Sequence, residues 1–188
     1  MNYFIEYKKA KFTLLKLVCQ CYSVSYTKKE ADDLKLNYND RDKPNDLDRY
    51  DFVCCDNTKR CLSIWEKLGF ENQIYSFHEI WDYMDKLKTE EKKNINYHRE
   101  SLELKLLCLD TAKDYYKYSI SIKDARKSRI KYDITDIHKN KINGCDHYFE
   151  SAGESTWNLL GFRKNFIALS RFKIKRKELN NKLKVLNK

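Results

Sequence analysis

The chain has 188 residues and a formal net charge of +10, with 41% hydrophobic and 14% aromatic residues but only four glycines and one proline. The apolar content excludes wholesale disorder despite 35% charged residues, and the length sets the expectation of a single domain. Seven cysteines, an odd number without the spacing of a compact disulfide scaffold, argue against an extracellular framework and for a cytoplasmic or nuclear protein.

Scarce helix breakers favour helices, so the chain reads as all-α: a single compact domain of about five to seven helices. Phe4, Phe12, Leu15, Cys19 and Tyr22 follow helical spacing and predict a first helix from about Asn2 to Cys21. Lys8, Lys9 and Lys11 precede an apolar run that superficially resembles a signal peptide. Lys16 interrupts it, however, and the cleavage site is poor. No apolar stretch is long enough to span a membrane.

Residues 27–56 mix Asp32, Asp33, Asp40, Asp42, Asp46, Asp48 and Asp51 with Asn37, Asn39, Asn45 and Pro44, which predicts a long surface loop. Cys61, Ile64, Trp65 and Leu68 then mark a helix ending at Gly69. Ser76 with Glu79 forms a capping box ahead of Phe77, Ile80, Trp81, Met84 and Leu87. Leu102, Leu106, Leu109 and Tyr116 predict a long helix to about Tyr118. Ser119–Ile122 alternates like a strand, but Ser121 with Asp124 also suits a cap, and without an evident partner strand the helix is preferred. Ile130, Ile134 and Ile137 extend a helical face, Asn143–Gly144 marks a turn, and a short helix follows over His147–Leu160. No internal repeat is detected.

Charge is segregated. Residues 1–160 are nearly neutral, whereas 161–188 hold Arg163, Lys164, Arg171, Lys173, Lys175, Arg176, Lys177, Lys182, Lys184 and Lys188 against Glu178 alone. Codon bias can inflate lysine everywhere, but it does not expel acids from one end. Phe162, Phe166, Leu169, Phe172, Leu179, Leu183 and Leu186 form one stripe if the segment is a helix, interrupted by Lys173 and Arg176, and Lys164, Arg171, Lys175 and Lys182 fall opposite it. The expectation is a near-neutral body, 1–160, with a docked basic amphipathic helix, 161–188. A second cluster comprises Lys123, Arg126, Lys127, Arg129 and Lys131. Tyr115, Tyr116, Tyr118 and Tyr132 lie near it as candidates for stacking on unpaired bases.

Other chemistry is weakly signalled. Cys54, Cys55, Cys61, His138, Cys145 and His147 lack the paired spacing of a zinc site, so no metal or cofactor is expected. Gly153-Glu154-Ser155 is no nucleophile elbow, the Asp-rich segment lacks the glycine and glutamate of a calcium loop, and no glycine-rich phosphate cradle exists. No catalytic constellation emerges, and a non-enzymatic role is expected.

These features together predict a small basic protein that binds nucleic acid, RNA before DNA, through phosphate-backbone contacts at the fourteen cations from Lys123 to Lys131 and Arg163 to Lys184. Sequestration of double-stranded RNA by a viral or parasite accessory protein is one concrete form. The alternative is a helical interaction module whose Trp65, Trp81 and Trp157 belong to core or interface and whose tail docks a protein partner or an anionic membrane.

Overall fold

The computed structural model describes residues 2–38, 44, 47–55, 58–147 and 151–187, with backbone only at 59, 60 and 151. The architecture is mixed α/β, not all-α, with two antiparallel sheets. The chain forms two compact units, one of residues 18–94 and one of residues 1–17 with 95–188.

In the first of these, β1 (Ser23–Thr27), β2 (Arg49–Cys54) and β3 (Ile74–Ser76) form a sheet in the order β1-β2-β3. Helices α2 (Lys28–Asp33), α3 (Lys59–Leu68) and α4 (Phe77–Thr89) follow the three strands in turn. Phe52, Val53, Ile64, Trp65, Leu68 and Ile80 are buried within the unit. The loop expected over residues 27–56 thus contains a helix and the central strand of a sheet, while 39–43, 45, 46, 56 and 57 lie outside the described residues.

The other unit begins with the greater part of α1 (Tyr3–Cys21). Helix α1 meets α5 (Tyr97–Tyr115) through a Glu6–Lys105 ion pair, and Tyr3 stacks on His98 with 4.0 Å between ring centroids. Here β4 (Lys117–Ser121) pairs with β6 (Lys141–Asp146), whose other edge takes β5 (Ile137–His138) and then β7 (Phe166–Ala168). Helices α6 (Ile122–Lys127), α7 (Ser151–Leu160) and α8 (Leu169–Leu186) complete it, and α8 packs on α5. Three local expectations are corrected. Ser119–Ser121 is strand, with Ser121 then capping α6; Ile134–Ile137 is a 3-10 turn entering β5; and Asn143–Gly144 lies inside β6. A Cβ at Gly144 would sit 2.4 Å from the Ile167 carbonyl oxygen, so this glycine admits the neighbouring strand rather than a turn. The turn falls at Lys139–Asn140, both at positive φ.

The two units repeat one design. The order strand, short helix, strand, helix, strand, helix occurs in both, with the 3-10 turn and β5 inserted after the short helix of the second. Ser23 faces Val53 and Thr27 faces Arg49 in one sheet, as Lys117 faces Cys145 and Ser121 faces Lys141 in the other. Ser25 donates to Asp51 at 2.5 Å, and Ser119 donates to the equivalent Asn143 at 2.7 Å. Helices α2 and α6 end alike, at Lys35 (φ 53°) and Arg129 (φ 51°). Helices α3 and α7 end with Trp65-x-x-Leu68-Gly69-Phe70 and Trp157-x-x-Leu160-Gly161-Phe162, both glycines being left-handed. An internal repeat therefore exists where none was expected from the sequence.

Candidate nucleic-acid interface

Five of the fourteen expected cations converge on one cavity of about 290 Å³. Arg129, Lys131, Arg163, Lys164 and Arg171 line it together with Ile130, Phe162, Phe166 and Ile167, and among the described residues no acidic side chain does. All five cations are exposed, and among the described residues none is ion-paired to a carboxylate.

Backbone chemistry explains why the two clusters meet. At the end of α6 the Ile130 N–H donates to the Ala125 carbonyl (2.9 Å) and the Arg129 N–H to Arg126 (3.1 Å), which closes the helix with Arg129 left-handed. Glycine takes that conformation without a Cβ penalty, so an arginine there carries local strain. Helix α7 closes in the same way, the Phe162 N–H donating to the Trp157 carbonyl at 2.8 Å. The Trp157 indole donates to the Asn165 carbonyl (2.9 Å) and fixes the loop that presents Arg163 and Lys164. Lys164 Nζ in turn reaches the Ser128 carbonyl oxygen at 3.5 Å, beside Arg129. Beneath them Phe166 joins the buried cluster of Ala125, Ile142 and Ala168, against which Ile130 and Tyr132 pack.

The remaining cations are disposed differently. The helix expected from residue 161 starts at Leu169, because residues 166–168 form β7, so Lys164 does not share a helix face with Lys175 and Lys182. Those two instead flank Glu178, at 3.1 and 3.0 Å. Their hydrogen bonds, that of Lys182 first, hold the Glu178 carboxyl below its ordinary range. Arg176 pairs with Asp110 at 3.0 Å on α5. Lys123, Arg126 and Lys127 are exposed on α6, and Lys173, Lys177 and Lys184 on α8; Lys188 lies outside the described residues. Of the tyrosines, Tyr116 is buried against Trp157 and Tyr132 half-buried, leaving Tyr115 and Tyr118 exposed. Trp65 and Trp157 are core, whereas Trp81 is exposed.

The repeat supplies an internal comparison. In the other unit a partly corresponding cavity of about 320 Å³ is lined by Gly69, Phe70, Glu71, Asn72, Tyr75, Glu79, Asp82, Tyr83 and Lys86, with α4 residues in place of the segment that follows the short helix. Glu71 stands where the first cavity has Arg163, Asn72 where it has Lys164, and Glu79 where it has Arg171. The neighbouring short helix shows the same inversion, with Asp32 and Asp33 in place of Arg126 and Lys127. One backbone design thus folds with either sign of charge at these positions, so the fold does not require cations there. Arg171 even opposes local preference: it lies in the first turn of α8, where the helix dipole favours an acid.

Elsewhere, burial raises the thiols of Cys19 and Cys145 to about 12, leaving them protonated at neutral pH. His147 packs on Trp157, and His78 Nε2 lies 3.0 Å from Asp82. Among the described residues no group of three or more His, Cys, Asp or Glu side chains is placed to hold a metal ion, and no helix is long and apolar enough to cross a membrane. Comparison with protein-family models, characterised proteins and solved structures yields no match to the chain.

Proposed function

We propose that the protein binds nucleic acid through phosphate contacts, with the cavity of Arg129, Lys131, Arg163, Lys164 and Arg171 as the centre of the interface. The observation that carries this reading is the convergence, from two distant segments on one concavity, of five cations that have no carboxylate partner among the described residues. The repeat supports it, because the positions of Arg163, Lys164 and Arg171 carry Glu71, Asn72 and Glu79 in the other unit, whereas the position of Arg129 keeps a cation, Lys35. Arginine and lysine at such a site exchange condensed counterions for phosphate contacts, which makes affinity salt-dependent and largely blind to sequence. RNA is the favoured class, since its single-stranded ends and loops enter a concavity that a continuous duplex backbone only bridges. Arg126 and Lys127 extend the basic surface along α6, while the cations held by Glu178 and Asp110 contribute little.

The test is binding of single-stranded RNA, double-stranded RNA and DNA by the purified protein at several salt concentrations. The expected result is affinity that falls steeply with salt and varies little with sequence. Absence of binding at low salt overturns the proposal.

A further inference from the structure

We infer that the basic cavity selects a terminal oligophosphate, the 5′-di- or triphosphate end of an RNA chain, over internal backbone phosphates. This rests on the nucleic-acid reading above and narrows its ligand. Internal phosphodiesters carry one charge each and run in a line, a pattern met by cations spread along a face. Here Arg129, Lys131, Arg163, Lys164 and Arg171 instead line a single concavity of about 290 Å³ with no acid beside them among the described residues. One phosphodiester would leave most of that charge uncompensated and the cations repelling one another. A triphosphate end carries about four charges, one on each inner phosphate and nearly two on the last, whose second pKa is about 6. It is also compact enough to be approached from several sides, as a mid-chain phosphate flanked by two riboses is not.

The apolar part of the lining fits the same ligand. Phe162 is half-buried and lines the cavity beside Arg163. It gives the terminal base an aromatic surface to stack on, an interaction every base can make. The cavity in the other unit, lined by Glu71, Glu79 and Asp82 with Lys86 as its one cation, offers no comparable cluster of positive charge.

The decisive experiment compares one short RNA sequence bearing a 5′-triphosphate, a 5′-monophosphate or a 5′-hydroxyl, by anisotropy at fixed salt, with inorganic triphosphate and a free nucleoside triphosphate as competitors. The triphosphate end should bind about tenfold more tightly than the hydroxyl end, the factor supplied by one additional charge-assisted hydrogen bond. Arg163→Gln with Arg171→Gln should erase that difference while leaving weaker, end-independent binding. Arg171→Glu, which introduces the side chain the repeat tolerates at its equivalent position, keeps the test valid if the double variant misfolds. Equal affinity for the three ends overturns the inference and leaves the backbone reading standing. Binding of the free nucleotide but of no RNA overturns the RNA reading and the inference as stated, since the source of the triphosphate is then a nucleotide. No binding of any kind overturns both.

Discussion

Arg171 occupies in α8 the position that Glu79 occupies in α4. Glu79 completes a capping box, accepting from the Ser76 N–H at 2.9 Å while Ser76 Oγ accepts from the Glu79 N–H at 3.3 Å. Arg171 cannot do this, and Ala168 at the N-cap offers no side-chain oxygen. The cap of α8 is supplied instead by buried Asp136, which accepts from the Ser170 N–H (2.8 Å) and the Ser170 hydroxyl (2.6 Å). Delegating the cap to a distant carboxylate leaves the 171 position open to a cation that faces the cavity.

Arg171→Glu should therefore move stability and binding in opposite directions. Removing a cation from a helix N-terminus and supplying an anion there is worth about 0.3–1 kcal/mol each way, so the melting temperature should hold or rise. Affinity for RNA should fall. A variant that melts earlier and binds like the parent would contradict both halves of this account.

Asp136→Ala should be among the most damaging single changes. Asp136 Oδ2 also accepts from its own turn, from the Asp133 N–H at 2.8 Å, so removing the carboxylate orphans donors at both ends. A loss of about 2–3 kcal/mol is expected from charge-assisted bonds left unmade, read as a lower denaturant midpoint with an unchanged slope. A loss below about 0.5 kcal/mol would show that water replaces the carboxylate.

The sequence made the helices legible because α1, α4 and α5 carry apolar stripes and α4 also has a capping box. It hid the strands for a related reason. Thr27, Ser76, Ser121 and Ala168 each end a strand of three to five residues and serve as the extended N-cap of the next helix, so at the first three a capping side chain announces the helix and masks the strand. The repeat was written in the two Trp-x-x-Leu-Gly-Phe segments, but the surrounding charges are inverted and residue identity fades. The cations of the cavity were individually visible. Their grouping was not, because extending α8 back to residue 161 joined Lys164 and Arg171 to Lys175 and Lys182 rather than to Arg129 and Lys131.

Glu178 gives a pH-dependent check on the cations left out of the site. Its carboxyl is held below the ordinary 4.5 by Lys182 and Lys175, so its contribution to stability is present in full above that value and disappears as pH falls through the lowered one. The side chain is 43% exposed, and solvent screening limits the two pairs together to about 0.5 kcal/mol. Glu178→Gln should be slightly less stable than the parent at pH 7, and the difference should shrink as pH falls through the lowered value. A difference that does not shrink with falling pH would assign the effect to packing.

Trp157→Phe should loosen the site without emptying the core. The ring contacts with Tyr116, Phe162 and Phe172, at 5.7, 5.8 and 5.7 Å between centroids, are largely retained, whereas the bond to the Asn165 carbonyl is lost. Stability should fall by about 1 kcal/mol for the hydrogen bond plus the smaller ring. RNA affinity should fall with it as Arg163 and Lys164 lose their anchor. Unchanged affinity would show that the 161–165 loop is held by other contacts.

The most direct test sets two substitution sets against each other in one salt titration of RNA binding. Replacing Arg129, Lys131, Arg163, Lys164 and Arg171 by Gln should weaken binding and flatten the dependence of log affinity on log salt, by up to about four units if every cation meets a phosphate. Replacing Lys175 and Lys182 by Gln should leave the slope unchanged. Equal slopes for the parent and the five-fold variant, with both folded, would contradict the assignment of the cavity as the nucleic-acid interface.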